Sequence, residues 1–330
     1  MFHRPRLIPA LFALVATALA PWCPEAAARK PVPAVAPQDL KLTPTEDGVR
    51  VEIGGMLFTQ YLTGGGELRK PVLYPIIGPT GARMTRRYPI EAAGPGEKKD
   101  HPHHASLWYT HGRINGKDFW HQGKERQVPD GPPVVSGQTI TARNKWVDGD
   151  GKIHLTDTRQ ISFGVLTGGS RHIDYDITLH ASHGPVQIGD TKEGTMGIRT
   201  HPGLRIDKGA KAVNSAGIEG NAVWGKAAAW VDYCGKIDGR TVGVAIFDHA
   251  SNPRHPTTWH ARQYGLVAAN PFGLKHFNRK AEKSGDMTIA AGQSVTFRYR
   301  FVFHEGDVKQ AGVAELYAKW SVTEVGKRVN

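Results

Sequence analysis

Residues 171–180 read RHIDYDITLH, and residues 294–304 read SVTFRYRFVFH. In the first, Ile173, Tyr175, Ile177 and Leu179 alternate with Asp174, Asp176, Thr178 and His180. In the second, Val295, Phe297, Tyr299, Phe301 and Phe303 alternate with Thr296, Arg298, Arg300 and, near the end, His304. Successive side chains of an extended backbone point to opposite faces, so each stretch predicts a strand with one apolar and one wet face. The signal recurs along the chain. GVRVEIGGMLFTQYL (48–62) reads as two strands turning at Gly54-Gly55, KIHLTDTRQISFGV (152–165) as a further strand, and RTVGVAIFDH (240–249) as one apolar enough to lie centrally. Only one helix is expected. It starts after Asp307 as N-cap and carries Val308, Ala311, Leu316 and Trp320 down one side. Strands without alternating helices predict an all-β, mainly antiparallel fold: a large β-sandwich of two sheets with a C-terminal helix.

The ends set the compartment. Arg4 and Arg6 precede an apolar run from Leu7 to Ala20, followed by Ala26-Ala27-Ala28, the layout of a secretory signal peptide over residues 1–28. Residues 29–45 are Pro-rich and unpatterned and read as a leader, leaving 46–330 as a single sandwich domain. A periplasmic or secreted protein is expected, with no membrane span after signal removal. Cys23 leaves with the signal, so the one remaining cysteine, Cys234, staples nothing and reads as a small half-buried residue. The formal net charge is +12, but the basic residues are scattered and no zinc-finger, RNA-recognition or helix-turn-helix pattern accompanies them, so no nucleic-acid partner is expected.

Three stretches lack the alternation of a core and are rich in groups that do chemistry. DHPHHASLWYTHGRINGKDFW (100–120) contains ASLWYTH, read as a strand, and GRINGKDFW, read as a turn leading into another strand. Pro102 biases His101 toward an extended backbone; if the chain stays extended, His101 and His103 share one face and His104 takes the other. FDHASNPRHPTTWHARQYGLVAANPFG (247–273) follows a buried strand and reads as the loop wall of a cleft. GDTKEGTMGIRTHPGLRI (189–206) adds Glu193 and Arg199, which have opposite parity and face one cleft only if the Gly194 and Gly197 region bends.

DHPHHASLWYTHGRINGKDFW, DTKEGTMGIR, WVDYCG, VGVAIFDHASNPRHPTTWHARQYGLVAANPFG and YRFVFHEGD together resemble the PmoA-like family of exported bacterial proteins, over roughly Val49 to Tyr317. The family carries a methane-oxygenase label, yet the oxygenase subunit of that name is an integral membrane protein, and this chain has no span after its signal. The resemblance implies an exported β-sandwich protein. In architecture the chain is also similar to the galactose-mutarotase-like supersandwich proteins, where a histidine and a glutamate move protons; none of their residues is carried over.

Three functions compete at this stage. The leading one is carbohydrate chemistry of an isomerase, lyase or hydrolase kind on a small-molecule or oligosaccharide ligand, without a cofactor. His103, His104, Glu193 and His260 are its acid–base candidates, with Glu305 a further carboxylate. Asp100, Trp108, Trp120, Arg199, Asp248, Arg254, His255 and Trp259 supply the aromatic faces and polar grips that sugars need. The second is a copper or zinc enzyme such as an oxygenase, ligated by His101, His103 and His260. The third is a sandwich that binds a glycan or a protein without turnover.

Overall fold

The computed structural model describes Met1 and residues 39–323. The expected signal peptide and most of the expected leader lie outside the described residues. In chain order the strands begin with β1 (Leu40–Thr45), β2 (Gly48–Ile53), β3 (Met56–Leu62), β4 (Val72–Leu73) and β5 (Leu107–His111). Then come β6 (Arg126–Pro129), β7 (Val134–Ser136), β8 (Thr139–Val147), β9 (Ile153–Val165), β10 (Arg171–His180) and β11 (Val186–Ile188). They are followed by β12 (Gly194–Arg199), β13 (Lys211–Asn214), β14 (Trp230–Ile237), β15 (Arg240–Asp248), β16 (Thr258–Ala261) and β17 (Leu266–Asn270). The chain ends with α1 (Leu274–Phe277), β18 (Met287–Ile289), β19 (Ser294–Glu305) and α2 (Val313–Trp320).

The eight-stranded sheet has the order β1-β2-β3-β4-β5-β12-β17-β16. The nine-stranded sheet has the order β13-β14-β15-β19-β10-β9-β8-β6, with β7 paired to β8, and β11 and β18 form a small third sheet. Every strand pairing within these sheets is antiparallel. The two large sheets face each other across one apolar core. Phe58 of β3 meets Phe163 of β9 and Phe303 of β19 edge to face, each at 6.2 Å between ring centroids, and Tyr109 of β5 meets Trp146 of β8. The all-β sandwich read from alternation is therefore the fold of this chain, and β10 keeps strict inside–outside alternation along its length.

Local departures have local causes. Leu40–Thr45, read above as leader, is β1, paired throughout with β2; its Pro44 sits on a sheet edge, where a missing N–H costs no ladder bond. The helix does not begin at Asp307. That carboxylate caps a preceding turn by accepting from the Lys309 and Gln310 N–H groups, and α2 starts only after Gly312, whose φ of 62° breaks the run. Val302 and His304 on the nominally wet face of β19 are buried as well, Val302 because α2 lays Val313 and Trp320 over that face. The expected turn after β5 forms at Asn115-Gly116, but no strand follows it before β6.

The core also contains charge. Asp157 and Arg159 of β9 are fully buried and joined by two hydrogen bonds, of 2.8 and 3.0 Å. Asn144 and the Trp146 indole N–H complete the carboxylate, each at 2.8 Å. Arg159 also donates to the Gln127 carboxamide, whose own N–H donates to the Tyr109 carbonyl at 3.0 Å. A second recurring device is a ring placed over a glycine of the directly paired strand: His172 on Gly164, His304 on Gly243, His111 on Gly194 and Trp108 on Gly197. Breaking a buried pair from one side leaves an uncompensated charge, so Asp157→Ala should cost about 3–5 kcal/mol in chemical denaturation. Replacing both partners, Asp157→Leu with Arg159→Met, should recover most of that loss, and equal stability of wild type and the single variant would refute the role given to the pair.

Candidate functional site

The outward face of the eight-stranded sheet carries the site. Trp259 and Ala261 belong to the core, so alternation along β16 turns His260 outward. His260 pairs with Ala268 of β17, Ala268 with Gly197 of β12, and Gly197 with Trp108 of β5, giving one row across four strands. A Cβ on Gly197 would stand 2.9 Å from the Trp108 indole, so this glycine is what lets the ring lie on the sheet. Trp120 packs against Trp108 at 5.5 Å, and the Lys70 ammonium sits 5.4 Å over the Trp108 ring.

Above this row stands the turn 100–106, held by two buried arginines. Arg86 donates to the Asp100 carboxylate at 2.7 Å and to the carbonyls of Asp100, His101 and His104. Arg199 donates to the same carboxylate at 3.0 Å and to Nδ1 of His104 at 3.2 Å. His101 has a φ of 44°, so the segment is not extended and the expected split of faces fails: all three histidine rings converge. His101 stacks on His104 at 4.9 Å and on Tyr264 at 5.2 Å, while His103 meets His104 at 4.3 Å. His104 in turn stacks on Trp108 at 5.5 Å, and the Arg199 guanidinium caps Tyr264 at 4.6 Å.

This geometry assigns proton positions. A guanidinium only donates, so Nδ1 of His104 accepts and Nε2 carries the hydrogen. That Nε2 is buried and has no partner among the described residues, and the same holds for the indole N–H groups of Trp108 and Trp120 and for Nδ1 of His260. Burial, with His103 and Arg199 nearby, holds His104 well below the usual histidine range. Burial together with Lys70 and His121 lowers His103 to about 3, and burial lowers His260 to about 4. Lys70, which donates to the His103 carbonyl at 2.8 Å, is brought down by burial to about 7, with Asp118 opposing. His121 goes the other way. Its Nδ1 bonds Asp118 Oδ2 at 2.7 Å, which raises its pKa, and 49% of its side chain is exposed.

His121, Asp118 and Lys70 are thus cluster residues absent from the sequence-based candidates, and Tyr264 figures there only as part of the 247–273 wall. The spacing Asp118-x-x-His121 was the available signal for the first two, with His121 one residue past the stretch 100–120. Of the candidates, Asp100, His103, His104, Trp108, Trp120 and Arg199 are brought together, and His260 shares their sheet face. Glu193 pairs with Lys192 at 2.7 Å on the loop entering β12. The others lie elsewhere. Trp259 is on the core face and donates to the Ala228 carbonyl, because β16 alternation buries it. Asp248, the last residue of β15, bonds His255 of the following loop at 2.7 Å and also accepts from Asn252 and the Thr257 N–H. Arg254 is committed to the carbonyls of Pro271, Gly285 and Asp286. Glu305 is exposed and paired with Arg240. Cys234 is buried, which pushes its thiol up to about 12.

The proposed metal ligands do not form a set. The His101 and His103 rings meet edge to face at 5.7 Å, His260 is on β16, and among the described residues no group of three or more His, Cys, Asp and Glu side chains is placed to hold a metal ion. No helix among the described residues is long and apolar enough to cross a membrane.

Fold and site together define a β-sandwich protein with a histidine–tryptophan cluster on one outer sheet face. The chain belongs to the Family of unknown function (DUF6807), whose sequence model matches residues 48–318. No curated protein matches it. Among solved structures it is similar to a polysaccharide lyase, at 14% identity and a TM-score of 0.35 over 85% of this chain and 34% of the lyase. It is also similar to a beta-arabinopyranosidase, at 12% identity and a TM-score of 0.27 over 80% of this chain and 38% of that one. The chain thus spans little more than a third of either structure's length.

Depressed histidine pKa values carry a sign. Where the folded pKa lies below the unfolded value of about 6.5, the unfolded chain binds protons that the folded chain refuses. Stability present above pH 6.5 is therefore lost as the pH falls toward about 4 for His260 and about 3 for His103. Buried His260 contributes about 1.4 kcal/mol per pH unit in that window, and half-buried His103 less. Half-exposed His121, shifted upward, offsets little of it. The melting temperature should drop between pH 6.5 and 4.5, less steeply in His260→Gln; a flat profile over this range would contradict the buried neutral histidines.

Proposed function

We propose that this chain binds a carbohydrate at the histidine–tryptophan face and carries out acid–base chemistry on it. The observation that carries the reading is the set of orphaned ring nitrogens: His104 Nε2, Trp108 Nε1 and Trp120 Nε1 in one cluster, with His260 Nδ1 on the same face. Buried donors need acceptors, and sugar hydroxyls reaching in from the rim would supply them while a C–H face stacks on exposed His101 and half-exposed Tyr264. The cluster reaches solvent at His101 and His121.

Each nearby carboxylate already serves a cation or an imidazole: Asp100 its two arginines, Asp118 His121, and Glu193 Lys192. This favours proton transfer by imidazole, as in isomerisation or elimination, over hydrolysis by two free carboxylates. His121 is the proton-transfer group, with Asp118 fixing the tautomer so that Nε2 faces outward with its lone pair. His104, neutral and donating through Nε2, stabilises negative charge as it develops on oxygen. Lys70, with a pKa near neutrality, is poised to share the proton. The protein acts after export, in the periplasm or outside the cell, consistent with the PmoA-like resemblance. The oxygenase reading requires a metal that the described histidines are not arranged to hold.

Solvent deuterium exchange into sugar C–H positions, followed by NMR across a panel of neutral and acidic sugars, should reveal turnover. His121→Asn should then lower kcat by about 10²–10⁴ with KM little changed and remove one limb of the pH profile. Saturable quenching of tryptophan fluorescence without exchange or product would leave a binding protein. A stoichiometric transition metal that survives dialysis and is lost in His103→Ala would replace the proposal with metal chemistry.

A further inference from the structure

Beyond β16 the same sheet face continues into a pocket of about 620 Å³. Thr258 lines it, two residues along the strand from His260, and so lies on the same outward side. Phe277 of α1 forms the shared wall. Its ring is 6.1 Å from His260 on one side and 5.2 Å from Trp224, edge to face, on the other. Two glycines hold that ring in place: a Cβ on Gly225 would come within 3.1 Å of Phe277, and one on Gly273 within 2.5 Å. The Trp224 indole N–H is buried and without a partner among the described residues, as in the main cluster. The pocket lining includes Lys226 and Lys283 and no carboxylate.

We propose that this pocket is a subsite for a negatively charged sugar unit, and that the ligand of the main cluster is an oligosaccharide carrying carboxylate or sulfate groups. The inference rests on the carbohydrate reading above and names its substrate class. The reach follows from the sheet. Trp108 and His260 are three strand spacings apart, about 14 Å, and Phe277 and Trp224 extend the line further. A monosaccharide cannot span that distance. Phe277 and Trp224 offer faces for a pyranose ring, the Trp224 N–H asks for an acceptor, and the two lysines select for an anion over a neutral chain.

The test is calorimetric titration of the exported chain with uronate di- and hexasaccharides, a neutral hexasaccharide and a sulfated hexasaccharide, alongside tryptophan quenching. The uronate or sulfated hexamer should bind at least tenfold tighter than the uronate dimer or the neutral hexamer. Lys226→Gln with Lys283→Gln should remove most of that gain while leaving dimer binding unchanged, and Trp224→Phe should weaken the hexamer severalfold. Equal affinity for charged and neutral hexamers, or a double variant that binds the charged hexamer like wild type, overturns the subsite while dimer binding at the main cluster still stands. If no sugar of any length binds or quenches, the carbohydrate reading itself has failed, and the subsite with it.

Discussion

The pair Asp157–Arg159 puts an ion pair where the two sheets meet, and much of the geometry described here follows from having to satisfy it. Neither group reaches water, so the carboxylate is completed by Asn144 and Trp146, and the guanidinium donates from Nη2 to Gln127. Gln127 in turn is tied to the Tyr109 carbonyl on β5. The core charge therefore fixes the strand whose opposite face presents Trp108. A packed hydrocarbon interior would hold the sheets together equally well, but it would not tie β5 to β6 in this register.

Charge has a different role on the outer face. Arg86 and Arg199 converge on one carboxylate, Asp100, and through it fold a turn that brings three imidazoles into contact. Desolvation, with Lys70 beside His103 and Arg199 beside His104, keeps these two imidazoles neutral, so they offer hydrogen-bond donors and lone pairs instead of positive charges. Only His121, at the rim and beside Asp118, is tuned the opposite way. One small area thus holds proton carriers of well-separated basicity, the usual arrangement where protons are moved in sequence.

The fold was legible because it is written in period-two alternation, which survives any arrangement of the strands, as β10 and β19 show. The site was half legible. Residue composition singled out 100–120, and its imidazoles and indoles do gather into one cluster. What failed was parity. The reading placed His101 and His104 on opposite faces by assuming an extended chain, whereas bonds from Arg86, fourteen and more residues upstream, impose a positive φ at His101. Long-range hydrogen bonds leave no trace in local spacing. Within the wall read over 247–273, Asp248 and His255 looked like substrate grips because both are polar, but in the structure they satisfy each other and the turn between them. Trp259 shows that one residue of register separates a core indole from the outward-facing His260 beside it.

The four rings resting on glycines have a bearing on how such sheets change over time. At each position the orientation of a side chain on one strand is recorded as a missing methyl on its neighbour. Neither half of the record can be rewritten alone: a larger residue at Gly197 tips the Trp108 indole off the sheet, and losing the indole leaves a bare strip of backbone for water to enter. Drift at these sites must therefore proceed by paired replacement, and two chains that share this architecture but differ in cargo should differ at both members of a pair or at neither.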